Sequence, residues 1–227
     1  VNGPLKRKKY RVRLDLTASA LIVSNDGVPF LEKDVESIYM WGESSKDPNK
    51  SIGYKGIGFK SVLEISDAPQ IFSQAVQFHF DRATCYEQVG AIVGKKAQLK
   101  LPITRFVFPF SIQQVPMPDQ ALVEQLLNVK GYATVIRLPL LPNAKHHTIL
   151  AQINRDLDPA LLLFLNGIDE IEVWVNGKRQ RSLSRKVRVT SKLFGQVVTL
   201  FVDKQPVSHW LLFISSKVKM PEDATLL

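Results

Sequence analysis

One cysteine, Cys85, is all the chain contains. A lone cysteine excludes an internal disulfide and fits a reducing compartment, so the expected location is the cytoplasm, or the nucleus in a eukaryote. Long apolar runs are missing too. The longest are Ala160–Leu165 and Trp210–Ile214, far short of the about 20 residues a membrane span requires, and no membrane association is expected. The basic opening VNGPLKRKKY leads into an alternating pattern, not into the apolar block of a signal peptide. Histidine is scarce, and His79, His146, His147 and His209 do not stand at zinc-ligand spacing. There is no Gly-x-Ser-x-Gly elbow, no recognisable Cys–His pairing and no Gly-x-x-x-x-Gly-Lys-Ser/Thr loop. The common hydrolase and P-loop chemistries are thereby set aside.

What is present is a chain of 227 residues, 45% hydrophobic, which is enough to bury a sizeable core. Its first residue is Val1, which marks a fragment, a processed product or a tagged sequence. The formal charge of +9 gathers at Lys6–Arg13 and in KRQRSLSRKVRVTSK (residues 178–192), where seven basic residues stand without an acid. Two readings remain open for that second stretch. It is a solvated, strongly charged hairpin, or it attracts nucleic acid or another acidic partner through Lys178, Arg179, Arg181, Arg185, Lys186 and Arg188. The absence of aromatics within it favours the first reading.

Periodicity organises the rest. YRVRLDL (10–16) alternates charged and apolar residues as a half-buried strand does, and ALIVS (20–24) is a second strand ending at the turn Asn25-Asp26-Gly27. Leu31, Val35, Ile38 and Tyr39 fall at helical spacing. GESSKDPNKS reads as a loop, followed by a glycine-rich stretch and a short helix over 59–65. Strands are predicted at 70–73, 75–80, 105–110, 132–138, 170–175, 186–190, 197–202 and 209–214. Helices are predicted at 119–129, 147–157 and 159–165, the last with Asp158 as N-cap. The expected class is α+β, a two-layer sandwich with a mixed, mostly antiparallel sheet and helices on one face.

The glycine-rich stretch, SIGYKGIGFKSVLEIS (51–66), has the makings of a phosphate loop. Glycines allow close backbone approach, a following helix start presents free N–H groups, and Lys55 and Lys60 add charge. Taken alone, the stretch reads better as a simple turn than as a phosphate site.

Two further stretches change that balance: VSNDGVPF (23–30) and GYATVIRLPL (131–140). In this order the three resemble the GHKL superfamily of ATP-binding domains, above all its sacsin and NO VEIN branch, across about residues 20–140. DPALLLFLNGIDEI further on is similar to the same branch. The resemblance implies a Bergerat-type domain over residues 1–145 and a helix-and-strand extension over 146–227 packed on it. It also implies a site for ATP with Mg²⁺. Asn25, or Asp26 as the alternative, would bond the adenine amino group, with Gly27 and Phe30 in the same motif. Gly53, Tyr54, Lys55, Gly56, Ile57, Gly58 and Phe59 would wrap the phosphates, with Lys60 and Ser61 opening the next helix. Lys46 would reach from a lid at 42–51, and Thr134 would meet the base from a central strand.

One departure limits this. The family's general-base glutamate and its Mg²⁺-holding asparagine lie on an earlier helix, and residues 1–24 contain no glutamate. Either that helix precedes Val1, the favoured reading, or the chain is a degenerate relative that binds nucleotide weakly or not at all. No catalytic residue is therefore assigned within the chain. The expected role is a nucleotide-driven switch that acts on other domains of a larger parent or on a second copy of the chain, with slow hydrolysis in the full-length protein. The alternative is a non-enzymatic binding module using the basic hairpin.

Overall fold

The alternation in YRVRLDL becomes strand β1 (Tyr10–Leu16), which turns back into β2 (Ala20–Asn25). The turn is closed by the Thr17 hydroxyl, which accepts the N–H groups of Ser19 and Ala20. The computed structural model describes residues 9–39, 58–74, 76–94, 109–111, 118–165, 167–191 and 195–213.

Helix α1 (Glu32–Tyr39) begins where Asp34 accepts the Leu31 N–H at 2.8 Å, with acids in its first turn as the helix dipole favours. The short helix expected at 59–65 is a 3-10 turn, Gly58–Glu64. Strands β3 (Gln70–Ser73) and β4 (Val76–His79) form a hairpin, followed by helix α2 (Arg82–Val93), N-capped by the Asp81 carboxylate on Thr84 N–H. Strand β5 is Phe110–Ser111 and shares Phe110 with the strand expected at 105–110, of which residues 105–108 lie outside the described residues. Helix α3 (Gln120–Glu124) continues as a π turn, Gln125–Val129. Strand β6 (Thr134–Pro139), helices α4 (His146–Asp156) and α5 (Leu161–Phe164), and strands β7 (Ile168–Val175), β8 (Lys178–Ser191), β9 (Gly195–Val202) and β10 (Gln205–Leu212) follow. Asn176-Gly177 takes positive φ at both residues, 47° and 75°, and turns β7 into β8.

Among the described residues ten strands form one sheet in the order β10-β9-β8-β7-β1-β2-β6-β3-β4-β5. Every pairing is antiparallel except β1 with β7. The expected class, α+β with a mixed and mostly antiparallel sheet, is what the chain adopts.

Strand alternation sorts the core onto two faces. On one, Leu21, Ile136, Ile71 and Phe78 pack with Ile38 of α1, with Phe59, Val62 and Leu63 of the 3-10 turn, and with Ile149 of α4. Leu162 of α5 covers Ile171, Leu183, Val198 and Leu200 on the same side. On the other face, Ala20, Ile22, Phe72 and Val135 pack under Val123 and Leu126 of α3. The single helical face expected from the sequence thus leaves out α3. Leu126 closes its own side because Ile22 and Val135 alternate out of phase with Leu21 and Ile136. Each such fully buried side chain is worth about 1.5–3 kcal/mol.

Candidate functional site

Over β2, β6 and β3 most of the α1 face is apolar, but one row across these strands is not. Asn25 ends β2, Thr134 opens β6 and Ser73 ends β3, and the register sets them side by side: Asn25 opposite Thr134, Thr134 opposite Ser73. The next row inward is Val23, Ile136 and Ile71. Ser73 and Thr134 are both fully buried, and their hydroxyl oxygens lie 2.7 Å apart.

Hydrogen bonds tie the segment 25–30 to this row. The carbonyl of Asn25 accepts the Ala133 N–H at 2.8 Å, its side-chain Oδ1 accepts the Gly27 N–H at 3.1 Å, and the Phe30 N–H donates to Ser73 Oγ at 2.9 Å. A Cβ on Gly27 would stand 3.1 Å from Asn25 Oδ1, tighter than a relaxed contact, so glycine suits that position. Phe30 packs edge-on against Phe78, ring centroids 6.5 Å apart.

Asp26 is differently employed. Its carboxylate accepts the backbone N–H of Arg11 at 2.5 Å and the Arg11 Nε–H at 2.7 Å. That hydrogen bond leads the causes that raise the Arg11 pKa, with burial opposing it. Arg11 also stacks over Tyr132, 5.2 Å from the ring centroid. Of the two sequence candidates for the base, Asn25 stands in the polar row and Asp26 anchors the turn to β1. An open cleft of about 450 Å³ is lined by Asp26, Gly27, Gln74, Gln77, Tyr132 and Ala133 among others, next in sequence to the row residues, which do not themselves line it.

The exit of the glycine stretch comes to the same face. Gly58 starts the 3-10 turn, and Phe59 joins Phe30 and Ile136 in one apolar cluster. Lys60 lies within that turn, and Ser61 is exposed. Lys46, Gly53, Tyr54, Lys55, Gly56 and Ile57 lie outside the described residues, as does the segment 42–51 expected as a lid. Among the described residues no three His, Cys, Asp or Glu side chains gather to hold a metal.

The family follows from a match over residues 8–188, from just before β1 to near the end of β8, to the sacsin domain. The chain belongs to the sacsin domain family. Protein NO VEIN of Arabidopsis thaliana is 32% identical over 183 residues, which is 78% of this chain and 6% of that protein. The sacsin-domain match includes the whole polar row, and no described helix is long and apolar enough to cross a membrane.

Two features of this sacsin domain escaped sequence reading. Ser73, in a four-residue strand, belongs to no quoted motif. The second is a polar cluster on the α3 face. There the buried Arg13 holds Asp15 in two bonds of 2.7 and 2.6 Å and lies 3.9 Å from the Trp174 ring centroid, while Arg179 pairs with Glu172 at 3.2 Å. Burial holds the Asp15 carboxyl above the usual range, against the pull of Arg13.

The basic strand divides as β8 alternates. Arg185 is 6% exposed, pairs with Asp169 at 2.9 Å and donates to the Leu162 carbonyl, so it does not stand on the surface with the others. Arg181 donates to the Asn154 carbonyl of α4. Lys178, Lys186 and Arg188 are exposed, and Lys186 lies 5.0 Å from the Phe201 ring centroid.

Proposed function

We propose that this sacsin domain is a nucleotide-binding module of GHKL type, with a Bergerat-like fold whose ligand is ATP. The reading rests on one observation: among the described residues, one strand row of the α1 face sets Asn25, Thr134 and Ser73 side by side, and Phe59, which follows the last glycine of the glycine-rich stretch, packs on that face with Phe30 and Ile136. Asn25 orients the base, its Oδ1 keeping a second lone pair besides the one given to Gly27. Thr134 meets the base directly or through water from the adjoining strand. The backbone amides of Gly53, Gly56, Ile57, Gly58 and Phe59 hold the phosphates, with Tyr54, Lys46, Lys55, Lys60 and Ser61 around them.

When bound, Mg²⁺ neutralises phosphate charge, and its ligand and the general base come from upstream of this chain. Residues of the chain therefore bind and orient and do not cleave. Binding is passed on as a conformational change to other domains of the parent protein or to a second copy.

Titration calorimetry with Mg·ATP tests this on the 227-residue chain and on a protein extended upstream of Val1. Strong binding by the extended protein and weak binding by the chain are expected. Failure of both sinks the reading.

A second reading, a surface for nucleic acid or an acidic protein, draws support from Phe201. It supplies beside Lys186 the aromatic that residues 178–192 lack. Binding that falls steeply with salt and ignores ATP would favour it.

A further inference from the structure

We propose that Ser73 is a positioning residue of the nucleotide site, one that sets the segment Asn25–Phe30 and turns the Thr134 hydroxyl into an acceptor. The proposal rests on the nucleotide reading and goes beyond it by assigning the base preference to a residue outside all three motifs.

The first part follows from connectivity. The segment leaves β2 at Asn25 and enters α1 after Phe30. Its start is held by the Ala133 N–H on the Asn25 carbonyl, 2.8 Å, and its end by the Phe30 N–H on Ser73 Oγ, 2.9 Å. Ser73 Oγ in turn lies 3.1 Å from the Ala133 carbonyl and 2.7 Å from Thr134 Oγ1. Both ends of the segment are thus tied to the one step Ala133–Thr134 of β6, and at the far end the tie is a single hydroxyl. Gln74, at φ 40°, turns the chain immediately after Ser73 and fixes where β3 stops.

The second part is proton accounting. Ser73 has one hydroxyl proton and two acceptors within reach, the Ala133 carbonyl and Thr134 Oγ1. If Ser73 donates to Thr134, the Ala133 carbonyl loses this bond. If it donates to Ala133, Thr134 donates back to Ser73, and Ser73 is complete with one bond given and two received. The second arrangement satisfies more buried groups, and unsatisfied buried groups are costly. It leaves Thr134 Oγ1 with lone pairs and no proton to offer. Beside it Asn25 Oδ1 also accepts. A site with two acceptors side by side suits a ligand that donates: a 6-aminopurine and not a 6-oxopurine.

The test compares ATP with inosine triphosphate, which carries oxygen in place of the amino group, on the upstream-extended protein by calorimetry. The unsubstituted protein should prefer ATP. Ser73→Ala should weaken ATP by roughly three- to tenfold and bring the two nucleotides close together, the loss expected for one hydrogen bond. Ser73→Thr, which keeps the hydroxyl, should retain the preference. Should Ser73→Ala melt too low to titrate, Ser73→Cys, with a far weaker donor and acceptor, should show the same loss of preference. A folded Ser73→Ala or Ser73→Cys protein whose ATP affinity and preference stay within twofold of the parent overturns the Ser73 assignment alone. A parent protein that binds neither nucleotide overturns the site and the assignment together.

Discussion

Arg137 and Asp119 meet as a buried ion pair, 2.9 Å apart, that fastens the start of α3 to the sheet. The pair is embedded: Arg137 also donates to Gln70 at 3.0 Å, and the Ser19 hydroxyl donates to Asp119 at 2.5 Å. Removing one partner strands the other charge in the interior, whereas removing both does not. Arg137→Leu should cost about 3–5 kcal/mol, and the double change Arg137→Leu/Asp119→Leu should recover a good part of it. Urea denaturation of the three proteins reads this directly.

The same pair gives a pH dependence with a defined sign. Burial pushes the Asp119 carboxyl up, but hydrogen bonds from Ser19, Thr17 and Arg137 and the Arg137 charge outweigh it, and the group sits below its ordinary value. A depressed carboxyl contributes stability that is complete above the unfolded value, about 3.9, and is lost as pH falls through the lower folded value. Thermal melts across the acid range should show Asp119→Asn less stable than the parent near neutrality, the two curves converging below about pH 3.9.

Asn25 and Asp26 are adjacent, yet their substitutions should separate. Asn25→Ala should lower nucleotide affinity of the extended protein with a small change in melting temperature. Asp26→Ala frees Arg11 from both its bonds to the Asp26 carboxylate, so its main effect should be on stability. Paired calorimetry and melting curves decide, and the reverse pattern would return the base contact to Asp26.

Gly195 tolerates no side chain. It stands at φ 85°, and a Cβ there would lie 2.2 Å from the Leu212 carbonyl oxygen. Gly195→Ala should cost about 1–3 kcal/mol through backbone strain alone, and more by displacing β10. Denaturant titration measures it.

On β8 the charge changes should also part. Lys186→Glu with Arg188→Glu should leave the fold intact and abolish any binding to single-stranded nucleic acid. Arg185→Ala should destabilise the protein, because it strips Asp169 of its partner. Equal losses of binding from folded versions of both would mean the surface reading is wrong.

How far the sequence spoke depends on how local the cause was. Strands β1 and β2, the Asn176-Gly177 turn and helix α4 rest on periodicity and turn chemistry within a few residues, and all were legible. The parallel partnership of β1 with β7 was not, because nothing near Tyr10 refers to Ile168. Charge in YRVRLDL pointed to a wet face, whereas Arg13 and Asp15 neutralise each other under Trp174. For Arg185 a signal existed: it shares parity with Leu183, which is fully buried, and the run of basic residues hid it. Ser73 had none, since its role is made by the register of β3 on β6.

Because β1 pairs with β7, its outer edge finds a partner more than 150 residues after it has been made. At about 5–20 residues per second of synthesis, the β1–β2 hairpin waits roughly 8–30 s with that edge bare. A chain cut at residue 145 would wait indefinitely, with Val12 and Leu14 deprived of Ile171 and Val173. The last third of the chain therefore acts as the escort of its first strand, and nascent or shortened forms should be the ones that aggregate.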